Sequence, residues 1–343
     1  MNKKHLILVI TILFLFSTFS GVLSGKDVKI PRKALKFEKK GDKATKAKDL
    51  DKAMELYKQA IEIYPDMDTV HYKIASIHSF KKNYKDAYEE LNIALKINKN
   101  NVPAKKALID TTLKYGTSLL RTRKVDEANK LFISLSGLEG LAELDAKLPV
   151  ELDYRIGFNY FQLQKPEKSN EYLLKFINHP TAAELFPNFF PTANYLTGLN
   201  FSQAGNTDNS NKYLLAFVEL SKTNPDNRYL SFAKYIIGMN NFNTLKDKVD
   251  KIEKAKNRKN MKESDKKVFE LAAAEKGVEE NLLFSISKNP ELENAYVLLG
   301  NFYYLKKDND NAIKYYKLLI EKFPGSADIE VYKVFLKDIE KRK

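Results

Sequence analysis

Apolar positions along this chain fall in short blocks at helical spacing, and polar breaks join the blocks. A small residue recurs inside alternate blocks, at Gly41, Ala75, Gly116, Gly157, Gly198 and Gly300. Twelve positions after each stands another small residue: Ala53, Ala87, Ala128, Ser169, Ser210 and Ala312. Sixteen positions after each come Tyr57, Leu91, Phe132, Leu173, Leu214 and Tyr316, and nineteen after come Ala60, Ala94, Leu135, Phe176, Phe217 and Leu319. Offsets of 12, 16 and 19 lie four and three apart, which puts them on one face of a helix. The polar breaks, such as "KKNYKDA", "TRKVDEA" and "KKDNDNA", separate this helix from the one that carries the small residue. Each unit therefore reads as two helices and a tight turn. One such pair cannot bury its apolar face alone, whereas stacked pairs share a continuous core through nearest-neighbour contacts.

This pattern resembles the tetratricopeptide repeat, a 34-residue unit with Leu-Gly and Tyr in its first helix and Ala, an aromatic, Ala and Pro in and after its second. Residues 34–67 match it with Phe37, Gly41, Ala53, Tyr57, Ala60 and Pro65. Residues 293–326 match with Tyr296, Leu299, Gly300, Tyr303, Ala312, Tyr316 and Pro324. Units at 68–101, 109–142, 150–183 and 191–224 keep the register but lack the terminal Pro. The resemblance implies an all-α fold, an α-α superhelix of the right-handed solenoid type.

Two departures modify that expectation. Gly116, Gly157 and Gly198 are 41 residues apart and Gly238 follows 40 later, so about seven residues, roughly two helical turns, precede several first helices. "VPAKKALIDTTLKYGTSLL" carries the addition as helix, with Pro103 at a helical N1 position, while "ELFPNFFPT" reads as loop. The array then breaks after Gly238, because no small residue and aromatic follow at the expected offsets. Residues 239–292 read as a charged segment and a degenerate pair. Leu245, Val249 and Ile252 mark a surface helix, the rest of 245–267 a linker, and Ser264 caps "KKVFELAAAEKG", which ends at Gly277 and pairs with "VEENLLFSISKNP". Residues 327–343 read as an amphipathic capping helix.

The first 24 residues change the cellular setting. "MNKKH" and the apolar run Leu6–Phe16 form a secretory signal peptide with a cut before Gly25, followed by a linker over 25–33. The alternative is an uncleaved anchor, since Leu6–Leu23 approaches the length of a spanning helix. Export to the periplasm or the medium is expected in the first case and tethering to the membrane in the second. No Cys occurs in the chain, which removes disulfides and thiolate chemistry. The formal net charge is +14, but both signs are mixed along most of the chain, as on a solvated lysine-rich surface.

Candidate chemistry is sparse. His71 and His78 could share a helix face, yet they fall at core positions of the repeat and no third ligand stands at a zinc-like spacing. His179, before Pro180, reads as a turn residue. There is no nucleophile elbow or zincin motif, and "GNTDNSNK" lacks the second glycine of a phosphate loop. No enzyme activity, cofactor or metal is expected. The basic run Lys246–Lys267 lacks interleaved aromatics, so nucleic acid is not an expected partner.

What the resemblance implies instead is a groove lined by the first helices that receives an extended or helical peptide. The groove positions are Tyr72 and Lys73, Lys114 and Arg121, Tyr154, Arg155 and Phe158, then Tyr195 and Leu199. Aromatics and cations are the residue types that dominate interface energetics; packing between neighbouring pairs is the competing role for each. Family members that clamp a terminal carboxylate use paired Lys and Asn, and Asp42, Ser76 and Thr117 at the corresponding sites argue against that activity here. The expected function is a non-enzymatic scaffold in the bacterial envelope that holds a protein or peptide. The alternatives are a periplasmic chaperone or assembly factor with many weak clients and a membrane-tethered adaptor.

Overall fold

The computed structural model describes residues 29–224, 227–256, 275 and 277–342, and every regular element among them is helical. The chain divides into two compact units at Tyr115 and Gly116. The first holds α1 (Arg32–Lys46), α2 (Leu50–Ile63), α3 (Asp68–Phe80), α4 (Tyr84–Ile97) and the start of α5 (Val102–Arg121). The second continues with α6 (Val125–Ser136), α7 (Leu148–Gln162), α8 (Pro166–Asn178), α9 (Phe189–Gln203), α10 (Thr207–Leu220) and α11 (Tyr229–Lys256). It ends with α12 (277–288), α13 (Glu293–Leu305), α14 (Asn309–Lys322) and the expected terminal helix, α15 (Ile329–Arg342).

One turn recurs between paired helices. Seven residues after the recurrent small residue the backbone is left-handed, at Lys48, Lys82, Arg123, Gln164, Gly205 and Lys307, with φ between 54° and 70°. The next residue donates its N–H to the carbonyl five residues back, as from Asp49 to Ala44 and from Asn206 to Phe201. That bond closes the first helix in the Schellman manner. At Asp49, Asn206 and Asp308 the same residue then caps the second helix, its side chain accepting from the N–H three residues on.

The recurrent glycines mark where the two helices of a pair touch. A Cβ on Gly41 would lie 2.5 Å from a ring carbon of Tyr57, and one on Gly116 2.5 Å from Phe132. On Gly157 and Gly198 it would meet Leu173 at 2.8 Å and Leu214 at 2.6 Å, and on Gly300 Tyr316 at 3.0 Å. In every case the obstructing residue stands sixteen positions later. Glycine costs about 1 kcal/mol relative to alanine inside a helix, and the close approach it permits offsets that cost. Tyr57, Phe132, Leu173, Leu214 and Tyr316 are all at most 2% exposed.

Gly238 obeys the same rule, which corrects the expected break in the array. Its Cβ would meet Leu282 at 2.9 Å, and Leu282 and Val278 are fully buried. The partner simply stands 44 residues away instead of 16. Helix α12 therefore completes the pair that α11 opens, and the Ser285 hydroxyl donates to the Ser231 carbonyl at 2.9 Å across it. Where the other pairs turn, this chain has Leu245, 1% exposed, and α11 runs on to Lys256. A buried leucine holds the helix to the core at the position where a polar residue elsewhere lets it end. Gly277 does not end a helix, because the helical stretch it belongs to runs on to residue 288. Residues 257–274, with Ser264 and most of "KKVFELAAAEKG", lie outside the described residues, as does the leader.

The seven added residues take two forms. In α5 they lengthen the helix to 20 residues. Before α7 and α9 they contain single helical turns, Leu141–Leu144 and Ala182–Leu185. "ELFPNFFPT", expected as loop, is an aromatic plug that runs into α9: Phe186 stacks on Phe189 at 6.0 Å, and Phe190 lies 6.2 Å from Phe176.

Buried amides join successive pairs in the second unit. The Asn159 amide donates to the Asn129 side chain at 3.3 Å and that of Asn200 to Asn170 at 2.8 Å. The third rung is double, with Asn240 and Asn211 at 2.9 Å and Asn211 and Asn241 at 2.9 Å. Asn159, Asn200 and Asn240 each follow a recurrent glycine by two positions, and Asn129, Asn170 and Asn211 by thirteen.

Candidate functional site

In the first unit, α1 and α3 meet through charge. The Lys73 ammonium lies 2.8 Å from Glu38 and 2.7 Å from Asp42, and sits 5.7 Å from the centre of the Tyr57 ring. The Tyr57 hydroxyl donates to Asp42 at 2.8 Å and lies 3.1 Å from the Thr45 hydroxyl. Burial pushes the Asp42 carboxyl up, but the bonds from Lys73 and Tyr57 outweigh it and hold the group below its usual range. The same two carboxylates raise Lys73 against its own burial. Beside this network opens a concavity of about 800 Å³ whose wall is mainly apolar, formed by Leu50, Ile77 and Phe80. Phe80 is 76% exposed at the end of α3.

In the second unit, Tyr154, Arg155 and Phe158 of α7 border a smaller cavity of about 310 Å³. Phe189 forms a further wall, its ring 4.5 Å from that of Tyr154 and inclined by only 3°. The fixed stack leaves an aromatic surface whose position does not depend on a ligand. Arg155 bonds to Glu151 one turn earlier, at 2.7 Å through Nε. Burial raises the Tyr154 hydroxyl, while Thr192 and Arg155 act in the opposite sense. Leu120, Phe132, Asn159 and Gln162 complete the lining.

The expected groove residues thus divide. Tyr154, Arg155 and Phe158 share one cavity and Lys73 borders the other. Tyr72 is half-buried beside Lys73 on α3, Lys114 is exposed and paired with Asp110 at 2.7 Å, and Arg121 is exposed at the end of α5. Leu199 packs partly buried against the core. Tyr195 is a correction to the expected groove: it is 7% exposed, with Phe217 at 5.0 Å and Tyr229 at 5.1 Å. The start of α11 covers it, and burial pushes its hydroxyl up to about 12. Phe80 and Phe189 were missed. Phe189 sits in the segment expected as loop, and nothing in the repeat pattern singles out Phe80 as exposed.

His71 and His179 serve structure. His71 is 6% exposed, with Nδ1 2.6 Å from Glu90 and Nε2 3.0 Å from the Pro65 carbonyl. Both neighbours are acceptors, so the site favours the doubly protonated ring. Burial lowers its pKa, but Glu90 and the Pro65 carbonyl overcome that and raise it. His179 makes its turn, accepting from the Thr181 N–H at 3.4 Å. Among the described residues no cluster of three His, Asp or Glu side chains is placed to hold a metal ion, and no helix is long and apolar enough to cross a membrane.

Two segments of the chain, residues 44–110 and 294–326, match tetratricopeptide repeat models. No curated protein matches the chain. Among solved structures it is similar to the C-terminal part of a TPR repeat-containing protein from Cytophaga hutchinsonii, at 14% identity over 86% of this chain and 98% of that one, with a TM-score of 0.45. It is similar to PilW, a type IV pilus biogenesis factor, at 14% identity over 88% of this chain and 98% of that one, with a TM-score of 0.35. YrrB, a TPR protein with an unusual peptide-binding site, aligns at 17% identity over 70% of this chain and 95% of its own, with a TM-score of 0.37.

Proposed function

We propose that this chain, which carries tetratricopeptide repeats, is a non-enzymatic scaffold that holds a protein or peptide segment against the α7 cavity of its second unit. The observation that supports this reading most is the meeting of Tyr154, Phe158 and Phe189 with Arg155 at one opening. Preformed aromatic walls bind an apolar side chain without ordering new groups, and a guanidinium beside them adds planar recognition of a carboxylate or carbonyl. The concavity beside Lys73 offers a second, more open surface of the same kind. The scaffold works in the bacterial envelope; the support for this is the basic leader, the apolar run Leu6–Phe16 and the small residues before Gly25.

The test is site-specific photo-crosslinking in intact cells from Phe158, compared with exposed Lys58 on α2. One dominant adduct from position 158, lost when Tyr154 and Arg155 become alanine with the probe still at 158 and helicity unchanged, supports a dedicated partner. A ladder of unrelated adducts favours a chaperone. Equal labelling from both positions overturns the cavity assignment. Arg155→Glu alone disturbs packing least and should weaken the adduct by about tenfold, the scale of one interface cation.

A further inference from the structure

The outward face of α1 is densely basic. Arg32, Lys36, Lys39, Lys40 and Lys43 are all exposed, and with Leu35 they border one open surface cleft. Their spacing of three and four places them along one side of the helix. No acidic side chain shares that side. The two acids of α1, Glu38 and Asp42, face α3 and are occupied by Lys73. Elsewhere, exposed lysines are commonly paired within a turn, as Lys52 is with Glu55, Lys124 with Glu127, Lys175 with Glu171 and Lys333 with Glu330. Neighbouring apolar residues are also open to solvent, Ile30 at 37% and Leu35 at 36%.

We propose that this face docks on an anionic phospholipid surface. Five unneutralised cations on one side of a helix complement a plane of phosphate charge, and Ile30 and Leu35 are placed to enter the headgroup boundary beside them. The apolar run ending at Phe16 stands sixteen residues before Arg32, so a leader engaged at a membrane would hold α1 close to that surface. A nucleic acid fits less well, because Phe37, the one aromatic of α1, is half-buried and offers no stacking platform.

The experiment is flotation of the full chain with vesicles of phosphatidylcholine, alone or containing phosphatidylglycerol, at low and high salt. Any insertion of the apolar run contributes to both vesicle types, so the ratio between them isolates the charged face. The full chain should prefer the anionic vesicles, and high salt should remove the preference. Near such a surface each cation is worth roughly fivefold in partition, and each Lys→Glu removes a cation and adds an anion, so K36E/K39E/K43E should reduce the preference by at least about a hundredfold. A matched variant, K58E/K130E/K337E, carries the same change in net charge at exposed lysines elsewhere and should retain most of it. Equal losses in the two variants, no preference in the full chain, or tighter binding to a single-stranded oligonucleotide than to the vesicles would overturn the proposal.

Discussion

The first unit joins its successive helix pairs with charge, and the second joins them with amides. Between the first two pairs Lys73 reaches back to Glu38 and Asp42, at the edge of an open concavity. Between the later pairs Asn159, Asn200 and Asn240 reach back to Asn129, Asn170 and Asn211 in buried surroundings. An ion pair near solvent responds to salt and protons; a buried amide pair responds to neither, but suffers more when one partner is lost. The difference separates a junction that can adjust to its surroundings from a ladder that fixes one repeat upon the next.

The largest effect should come from breaking a rung. Asn200→Ala leaves the buried Asn170 side chain unpaired and should destabilise the second unit by about 2 kcal/mol, read as faster hydrogen exchange in α7 to α10 with α1 to α4 unaffected. Asn170→Leu with Asn200→Leu removes both partners and should cost less than either single alanine. Lys73→Met should be weaker, about 1 kcal/mol, and confined to α1 to α4, because the pair is partly solvated. Its effect should shrink in high salt, where that of Asn200→Ala should not.

Smaller still is the recurrent turn. Lys48, at φ 62°, and Gly205, at φ 70°, occupy equivalent positions. Lys48→Gly should stabilise by roughly 0.5–1 kcal/mol and Gly205→Lys should destabilise by a similar amount, both read by urea unfolding. The smallest expected change is in pH dependence. His71 is raised in the folded chain, so its contribution is complete below the ordinary value of 6.5 and is lost as pH rises through the raised one. Asp42 is lowered, so its contribution is present above 3.8 and is lost as pH falls through the lowered value. Exchange protection of α1 to α4 should therefore fall at both ends, and His71→Gln should remove only the alkaline loss.

Much of the fold was legible because helix pairs leave a local signature. The offset of 16 from Gly41, Gly116 or Gly198 corresponds to a helix-on-helix contact so close that a Cβ added to the glycine would lie 2.5 to 2.6 Å from the partner side chain. The sixth pair was not legible, since Leu282 answers Gly238 across an interval that no fixed offset includes. The amide ladder left a signal, Asn two positions after three successive glycines, but polar residues on an apolar face look like exceptions until their partners are placed. Tyr195 was misassigned because a first-helix position is open or covered according to the entry of the following helix, which the added residues redirect. Tyr154, Arg155 and Phe158 were found together because all three lie within two turns of one helix.

A single repeat frame persists through the interval after Gly238. The chain has no cysteine, so Asn241→Cys with Gly277→Cys introduces the sole pair. A Cβ at position 277 would stand 2.7 Å from the Asn241 amide nitrogen, which places the two thiols side by side when α12 closes on α11. Mild oxidation should give a crosslinked monomer in near-quantitative yield with helicity unchanged, whereas Asn241→Cys with Ser287→Cys should not crosslink. Failure of the first pair in a folded monomer would mean that α12 does not complete the pair opened at Gly238.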